Sequence, residues 1–199
     1  MTYQLDFTPE NHEYRLNGEV VPSVTQLLTP IYSGAFDAIP ADVLERKRAL
    51  GTAVHKACEL DDVNELDEST LHDAIRPYLD GWRRFRDEFA PVWDASEWML
   101  ADPGMRYAGT IDRVGTLNDG RLVVLDIKTG PQSPQIGVQL AGYERLLKAN
   151  NRAEDRERLS VHLTEGGFQL ARWTAIDDHR CFLALLSVRA WAAKYNGSK

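Results

Sequence analysis

The residues with the clearest chemical capacity close an apolar run, Leu122-Val-Val-Leu-Asp126-Ile-Lys128-Thr-Gly130. Alternation along a strand puts Asp126 and Lys128 on one face. A shielded carboxylate binds a hard cation, and a lysine two residues on can orient an attacking hydroxide or steady phosphate oxygens. Taken alone, this D-x-K spacing also fits an ordinary ion pair at a strand end, because short patterns arise by chance. A second acid comes from Tyr107-Ala-Gly109-Thr-Ile-Asp112-Arg113. Antiparallel pairing of the two segments predicts Asp112 near Asp126, and carboxylates held together repel unless a cation lies between them. Gly109 inside a strand points to close approach of a backbone or a ligand. The competing reading pairs Asp112 with Arg113 or Arg121, but it leaves Asp126 unexplained.

Two helical stripes accompany these acids. Gly51, His55 and Glu59 are spaced by four and share one helix face. Gly51 leaves space beside His55, and an imidazole with a carboxylate one turn on can complete or orient a metal site. A single helical histidine is more often structural, so His55 gains weight only from the acids. Gln139 and Tyr143 lie one turn apart after the Asp126 segment, where an amide and a phenol can hydrogen-bond a nucleic-acid backbone. Considered alone, they fit a solvated glutamine and a core tyrosine better.

The elements that must position these residues follow from periodicity. Tyr3–Phe7, Glu13–Leu16 and Glu19–Val21 read as short strands, with Asn17-Gly18 as a turn. Ser23 with Gln26 three residues on is a capping box that starts a short helix. Pro30 to Pro40 reads as loop. Residues 41–60 form a helix with apolar positions at threes and fours. A second helix is expected from Ser69 to about Phe89, kinked or interrupted at Pro77. Strands follow at Ser96–Ala101, Arg106–Val114 and Arg121–Lys128, then a helix over 135–149, strands at Leu159–Thr164 and Phe168–Thr174, and a helix from Asp177 or Asp178 to about Tyr195. The expected fold class is α/β: a mixed central sheet flanked by helices, with an N-terminal hairpin and helical elaboration. One domain spans 1–199, with 1–40 as elaboration and 41–199 as core.

Composition narrows the setting. With 199 residues, 43% hydrophobic and 27% charged, the chain has the profile of a folded globular protein rather than a disordered one. Cys58 and Cys181, far apart and outside any C-x-x-C pair, exclude a zinc or iron–sulfur ligand set and are expected as buried thiols in a reducing compartment. The N-terminus lacks the features of a signal peptide and no run suits a membrane helix, so a cytoplasmic protein without membrane contact is expected. The net charge of −7 counts mildly against a nucleic-acid ligand. Bound divalent cations would reverse the sign of an acidic site.

Taken in order, G-x-x-x-H-x-x-x-E, G-x-x-D, D-x-K and Q-x-x-x-Y resemble the PD-(D/E)xK nuclease superfamily, and within it the RecB-like exonuclease branch. The matching residues are Gly51, His55 and Glu59, then Gly109 and Asp112, then Asp126 and Lys128, then Gln139 and Tyr143. Glu13-Tyr-Arg-Leu-Asn-Gly18 with Pro22-Ser-Val-Thr25 is similar to the N-terminal region of phage-encoded members and of the mitochondrial genome maintenance exonuclease. The resemblance implies a restriction-endonuclease-like core. It implies that Asp112 and Asp126 bind one or two Mg²⁺ or Mn²⁺ ions with help from the Ile127 carbonyl, and that His55 is an extra ligand. Glu59 would act behind it or through water. Lys128 would position the nucleophilic water, with Gln139 and Tyr143 supporting it or the DNA backbone. Ile111 stands where the superfamily's name places proline, and the cysteines exclude the iron–sulfur members of the branch.

The activity implied is a Mg- or Mn-dependent deoxyribonuclease acting on single- or double-stranded DNA ends. Its setting would be phage or mobile-element recombination or end processing, with a recombination or single-strand-binding protein as a possible partner. Two alternatives stand beside it: an endonuclease with the same chemistry, and a non-catalytic DNA-binding protein on a nuclease fold. The second must explain why mutually repelling acids are kept. Arg46, Arg83 and Arg84 are candidate DNA contacts, although arginines at such spacing also form solvated helix faces. Trp82 and Phe85 could stack on bases but fit the core better. Ser23 and Thr25 could touch a phosphate, although capping already accounts for Ser23.

Overall fold

A computed structural model describes residues 3–32 and 39–196. Strands β1 (Leu5–Thr8), β2 (Glu13–Leu16) and β3 (Glu19–Val21) form an antiparallel sheet of three. The β2–β3 turn is the expected Asn-Gly: Asn17 at φ 51° and Gly18 at φ 84° supply the left-handed pair that a two-residue hairpin needs. The capping box also forms. Ser23 Oγ accepts the Gln26 N–H at 3.0 Å and Gln26 Oε1 accepts the Ser23 N–H at 2.9 Å, which starts α1 (Val24–Leu27). A one-turn helix, α2 (Thr29–Tyr32), occupies the start of the stretch expected to be loop. The rest of that expectation, 33–38, lies outside the described residues.

Helix α3 (Ala41–Asp62) matches the apolar period that predicted it. The next helix does not begin at Ser69. Residues Glu68–Thr70 form a single 3₁₀ turn capped by Asp67, and α4 runs from Arg76 to Phe89. Pro77 therefore opens α4 rather than kinking it, because a proline in the first turn forfeits no intrahelical hydrogen bond.

The central sheet has the order β4 (Val92–Asp102), β5 (Tyr107–Thr116), β6 (Leu122–Lys128), β7 (Glu157–Thr164) and β8 (Gly167–Trp173). Only β6 and β7 run parallel. Parallel neighbours need a crossover, and α5 (Gln135–Ala149) supplies it. Helix α6 (Asp177–Asn196) packs on α5. The fold class read from the sequence is the one observed.

β6 is buried on both faces, which explains its continuous apolar run. Val123, Leu125 and Ile127 pack with Val54 and Cys58 of α3 and Trp82 and Phe85 of α4. Val124 faces the other way, into the cluster with Leu140, Tyr143 and Leu146 of α5. Asp126, in phase with Val124, is thereby aimed at α5. Trp82 and Phe85 are fully buried and stacked on each other, so they are core and not a base-stacking surface. No helix among the described residues is long and apolar enough to cross a membrane. Cys58 is buried as expected, whereas Cys181 is only half-buried; both are free.

Helix α4 is seated on β8 so closely that a Cβ added at Gly81 would lie 2.1 Å from the Gly167 carbonyl oxygen. In an open helix, glycine to alanine stabilises by about 1 kcal/mol. Here overpacking against backbone reverses the sign, at roughly 1–3 kcal/mol. Gly81→Ala should therefore lower the thermal midpoint by about 5 °C. A midpoint unchanged or raised in calorimetry would refute this packing.

Candidate metal centre

Asp112 and Asp126 reach the same end of the sheet by different routes. Asp112 extends from β5 to β6, where its Oδ2 accepts the Ile127 N–H at 2.7 Å. It thus replaces a rung of the strand ladder at the point where the β5–β6 register ends, at Arg113↔Leu125. Asp126, 1% exposed, points to the α5 side, where Gln139 Nε2 donates to its Oδ1 at 2.9 Å. Its Oδ2 is buried and paired with Lys128 Nζ at 2.7 Å. Burial lifts the Asp126 pKa to about 6, with Lys128 opposing and Asp112 adding to the rise.

His55 arrives from α3 on the opposite side of β6. Its Nε2 lies 2.8 Å from the Ile127 carbonyl oxygen, which fixes that nitrogen as the donor and turns Nδ1 toward the acids. Nδ1 is 3.5 Å from Asp112 Oδ2 and 3.8 Å from Glu97 Oε1. Burial alone would lower the His55 pKa, but the carboxylates of Asp112 and Glu97 outweigh it and hold the pKa at about 9.

Glu97 was not singled out in the sequence. It lies in β4 between Ser96, opposite Arg113, and Trp98, opposite Ile111, which puts it across from Asp112. Its φ of 46° is left-handed inside a strand, a conformation that costs a non-glycine residue about 1–2 kcal/mol. Such strain persists only where surrounding contacts enforce it. Arg113 supplies part of that enforcement. The fully buried guanidinium bonds Asp62 at 2.8 Å and Glu97 Oε1 at 3.3 Å, and it lies 5.5 Å from the Trp82 ring centre. Arg113 is thus the partner of Asp62 and Glu97, not the side-chain partner of Asp112.

One ligand atom each from His55, Glu97 and Asp112 lies within 4.8 Å of the others. An imidazole nitrogen and two carboxylate oxygens, with the Lys128-paired Asp126 carboxylate beside them, fit a hard or borderline divalent cation. Several expected partners stand elsewhere. Glu59 bonds Lys56 at 2.7 Å and is not among the three clustered residues. The Ile127 carbonyl, expected as a ligand, instead orients His55. Gln139 and Tyr143, expected at the DNA backbone, are buried and bonded to each other at 3.0 Å, so their visible work is to orient Asp126. Arg83 is committed to Asp61 and Glu68, and Arg46 to Asp42. Arg84 is exposed on α4.

Two glycines separate in the same way. A Cβ at Gly109 would lie 3.1 Å from both Tyr143 and Val24, so glycine lets α5 and α1 close onto β5. At Gly51 it would meet only Thr129 at an ordinary 3.6 Å, so space beside His55 does not require glycine there.

This chain belongs to the PD-(D/E)XK nuclease superfamily, whose family model matches residues 35–179. Members of that superfamily are hydrolytic nucleases that use divalent metals, and the fold implies DNA as substrate. A solved structure, that of SSO0001, is 16% identical over 72% of this chain and 80% of that chain, with a TM-score of 0.33. No curated protein matched.

The His55 proton and a divalent cation compete for the same nitrogen. With a metal-free pKa of about 9, His55 is protonated at neutral pH, so cation binding must release that proton. Affinity for Mn²⁺ should rise almost tenfold per pH unit from 7 to about 9 and then level off. Calorimetric titration in buffers of different ionisation enthalpy would reveal the proton release. An affinity independent of pH over that range would remove His55 Nδ1 from the site.

Proposed function

We propose that the chain is a Mg²⁺- or Mn²⁺-dependent exonuclease that hydrolyses phosphodiester bonds at DNA ends. The observation that carries this reading is the convergence of His55, Glu97 and Asp112 beside the buried Asp126–Lys128 pair. His55, Glu97 and Asp112 line a cleft of about 380 Å³. That volume is at the small end of ligand pockets and suits a nucleotide-sized group.

When bound, the divalent cation supplies Lewis acidity that makes water nucleophilic at neutral pH and offsets charge on the phosphate. In this reading His55, Asp112, Asp126 and Glu97 hold it. Arg113 keeps Glu97 in its strained conformation, and Gln139, backed by Tyr143, fixes the Asp126 carboxylate. Burial would lower the Lys128 pKa, but Asp126 and Asp112 raise it above its usual value, so Nζ stays protonated. Its N–H groups can therefore orient the attacking water and hydrogen-bond the phosphate as negative charge accumulates. Arg84, exposed on α4, is the basic group assigned to the incoming strand. The chain acts as one domain, with Phe7, His12, Tyr14 and the Ser23–Thr25 segment walling the cleft. The likeness of the N-terminal segment to phage-encoded members favours a setting in recombination or end processing.

Asp112→Ala and Lys128→Ala should each reduce Mg²⁺-dependent loss of linear end-labelled DNA by at least about a hundredfold, the scale for removing one stabilising group from a reaction centre. Closed circular DNA should survive the wild-type enzyme. Cutting of the circle would assign an endonuclease instead, and near-normal cleavage by either folded variant would overturn the assignment of the reacting groups.

A further inference from the structure

The cleft has a second wall that hydrolysis does not use. Phe7, His12 and Tyr14 line it together with His55 and Asp112. The three rings touch one another. Phe7 and Tyr14 have centroids 4.5 Å apart, and His12 stands edge-on to both, at 5.3 Å and 5.7 Å. Tyr14 is buried, Phe7 half-buried and His12 exposed, so the cluster grades from core to open cleft.

Its placement is enforced. Tyr14 Oη and Thr110 Oγ1 hydrogen-bond at 2.7 Å, which fastens the cluster to the catalytic strand two residues before Asp112. His12 ends the Pro9–Asn11 turn in the left-handed conformation, at φ 50° and ψ 47°. Its N–H closes onto the Pro9 carbonyl at 3.2 Å, and its own carbonyl accepts from Gln26 of the capping box at 3.3 Å. The left-handed cap is held from two sides, so the exposed ring is presented in a fixed place.

Charge indicates what the ring is presented to. No lysine or arginine is among the described residues that line this cleft, and the whole chain carries −7. On this wall, affinity therefore does not come from lysine or arginine pairing with phosphates. Aromatic faces remain, and a nucleobase stacks on such faces whatever its sequence.

We propose that Phe7, His12 and Tyr14 form a stacking platform for an unpaired nucleobase beside the scissile phosphate, making single-stranded ends the preferred substrate. The proposal rests on the DNA exonuclease reading and adds its substrate class. A base inside a duplex has both faces covered and a terminal pair frees only one, so an unpaired base, free on both faces and not tied to a partner strand, is the one best able to enter the platform. Phe7 and His12 present the accessible rings, and Tyr14 buttresses them from β2.

The test is fluorescence anisotropy in EDTA with a labelled dT12 strand, an abasic strand of equal length and a blunt duplex. Variants are His12→Ala, Phe7→Leu, the double variant, and the aromatic replacement His12→Phe. Wild type should bind dT12 more tightly than the abasic strand. The double variant should lose about tenfold on dT12 and nothing on the abasic strand, while His12→Phe should retain the preference. His12 is exposed and Phe7→Leu keeps an apolar side chain, so unaltered thermal midpoints will show that the fold survives. Equal binding of dT12 and abasic strands by wild type, or unchanged dT12 affinity in the double variant, overturns the platform. Failure of the nuclease reading is seen separately, as absence of Mg²⁺-dependent cleavage of any DNA by wild type.

Discussion

Asp112 and Asp126 hang from adjacent strands with little water around them, and Glu97 is forced in beside them from a third. Gathering like charges in a poorly hydrated place is unfavourable until positive charge meets them. Much of the molecule is arranged to supply it. Lys128 pairs with Asp126, His55 turns its Nδ1 toward Asp112 and Glu97, and the buried Arg113 holds Glu97 from behind. Against the lowering effect of burial, the crowded carboxylates of Asp112 and Glu97 raise the pKa of His55, whereas that of Asp126 is raised by its burial first and by Asp112 second. In the metal-free protein a proton on His55 occupies the place that a divalent cation is suited to take.

The architecture follows from that requirement. Pairing of β4, β5 and β6 sets Glu97 opposite Asp112 and lets Asp112 reach the Ile127 N–H. The parallel β6–β7 step requires a crossover, and the crossover helix returns Gln139 and Tyr143 to Asp126. Helix α3, on the other face, brings His55 to the Ile127 carbonyl. Each acid is thus held by an element different from the one that carries it, so the site forms only when the sheet and both helical layers are assembled. The N-terminal sheet completes the cleft through the Tyr14–Thr110 hydrogen bond.

The sequence revealed the parts with a local signature. Period 3.6 marked α3 and the Gln139–Tyr143 turn, while alternation and turn chemistry marked the strands, the Asn17-Gly18 hairpin and the Ser23 cap. Spacing therefore identified Asp112, Asp126, Lys128 and His55 as companions. Other features had no local signature. Glu97 reaches the centre because of a left-handed residue inside a strand, which only tertiary contacts impose. The role of the Ile127 carbonyl depends on which ring nitrogen of His55 faces it. Arg113 looked like the neighbour of Asp112, yet its long side chain is drawn away to Asp62 and Glu97. Strand pairing offered one clue that could have been used: once Ser96 is set opposite Arg113, the acid at 97 must face Asp112.

Locating Mn²⁺ by anomalous scattering in crystals soaked at pH 8 tests the central claim most directly. A peak is predicted about 2 Å from His55 Nδ1 and from carboxylate oxygens of Glu97 and Asp112. A strong peak elsewhere, such as at Glu59 or at the Asp61–Glu68 cluster, or none at these three residues, would contradict the account.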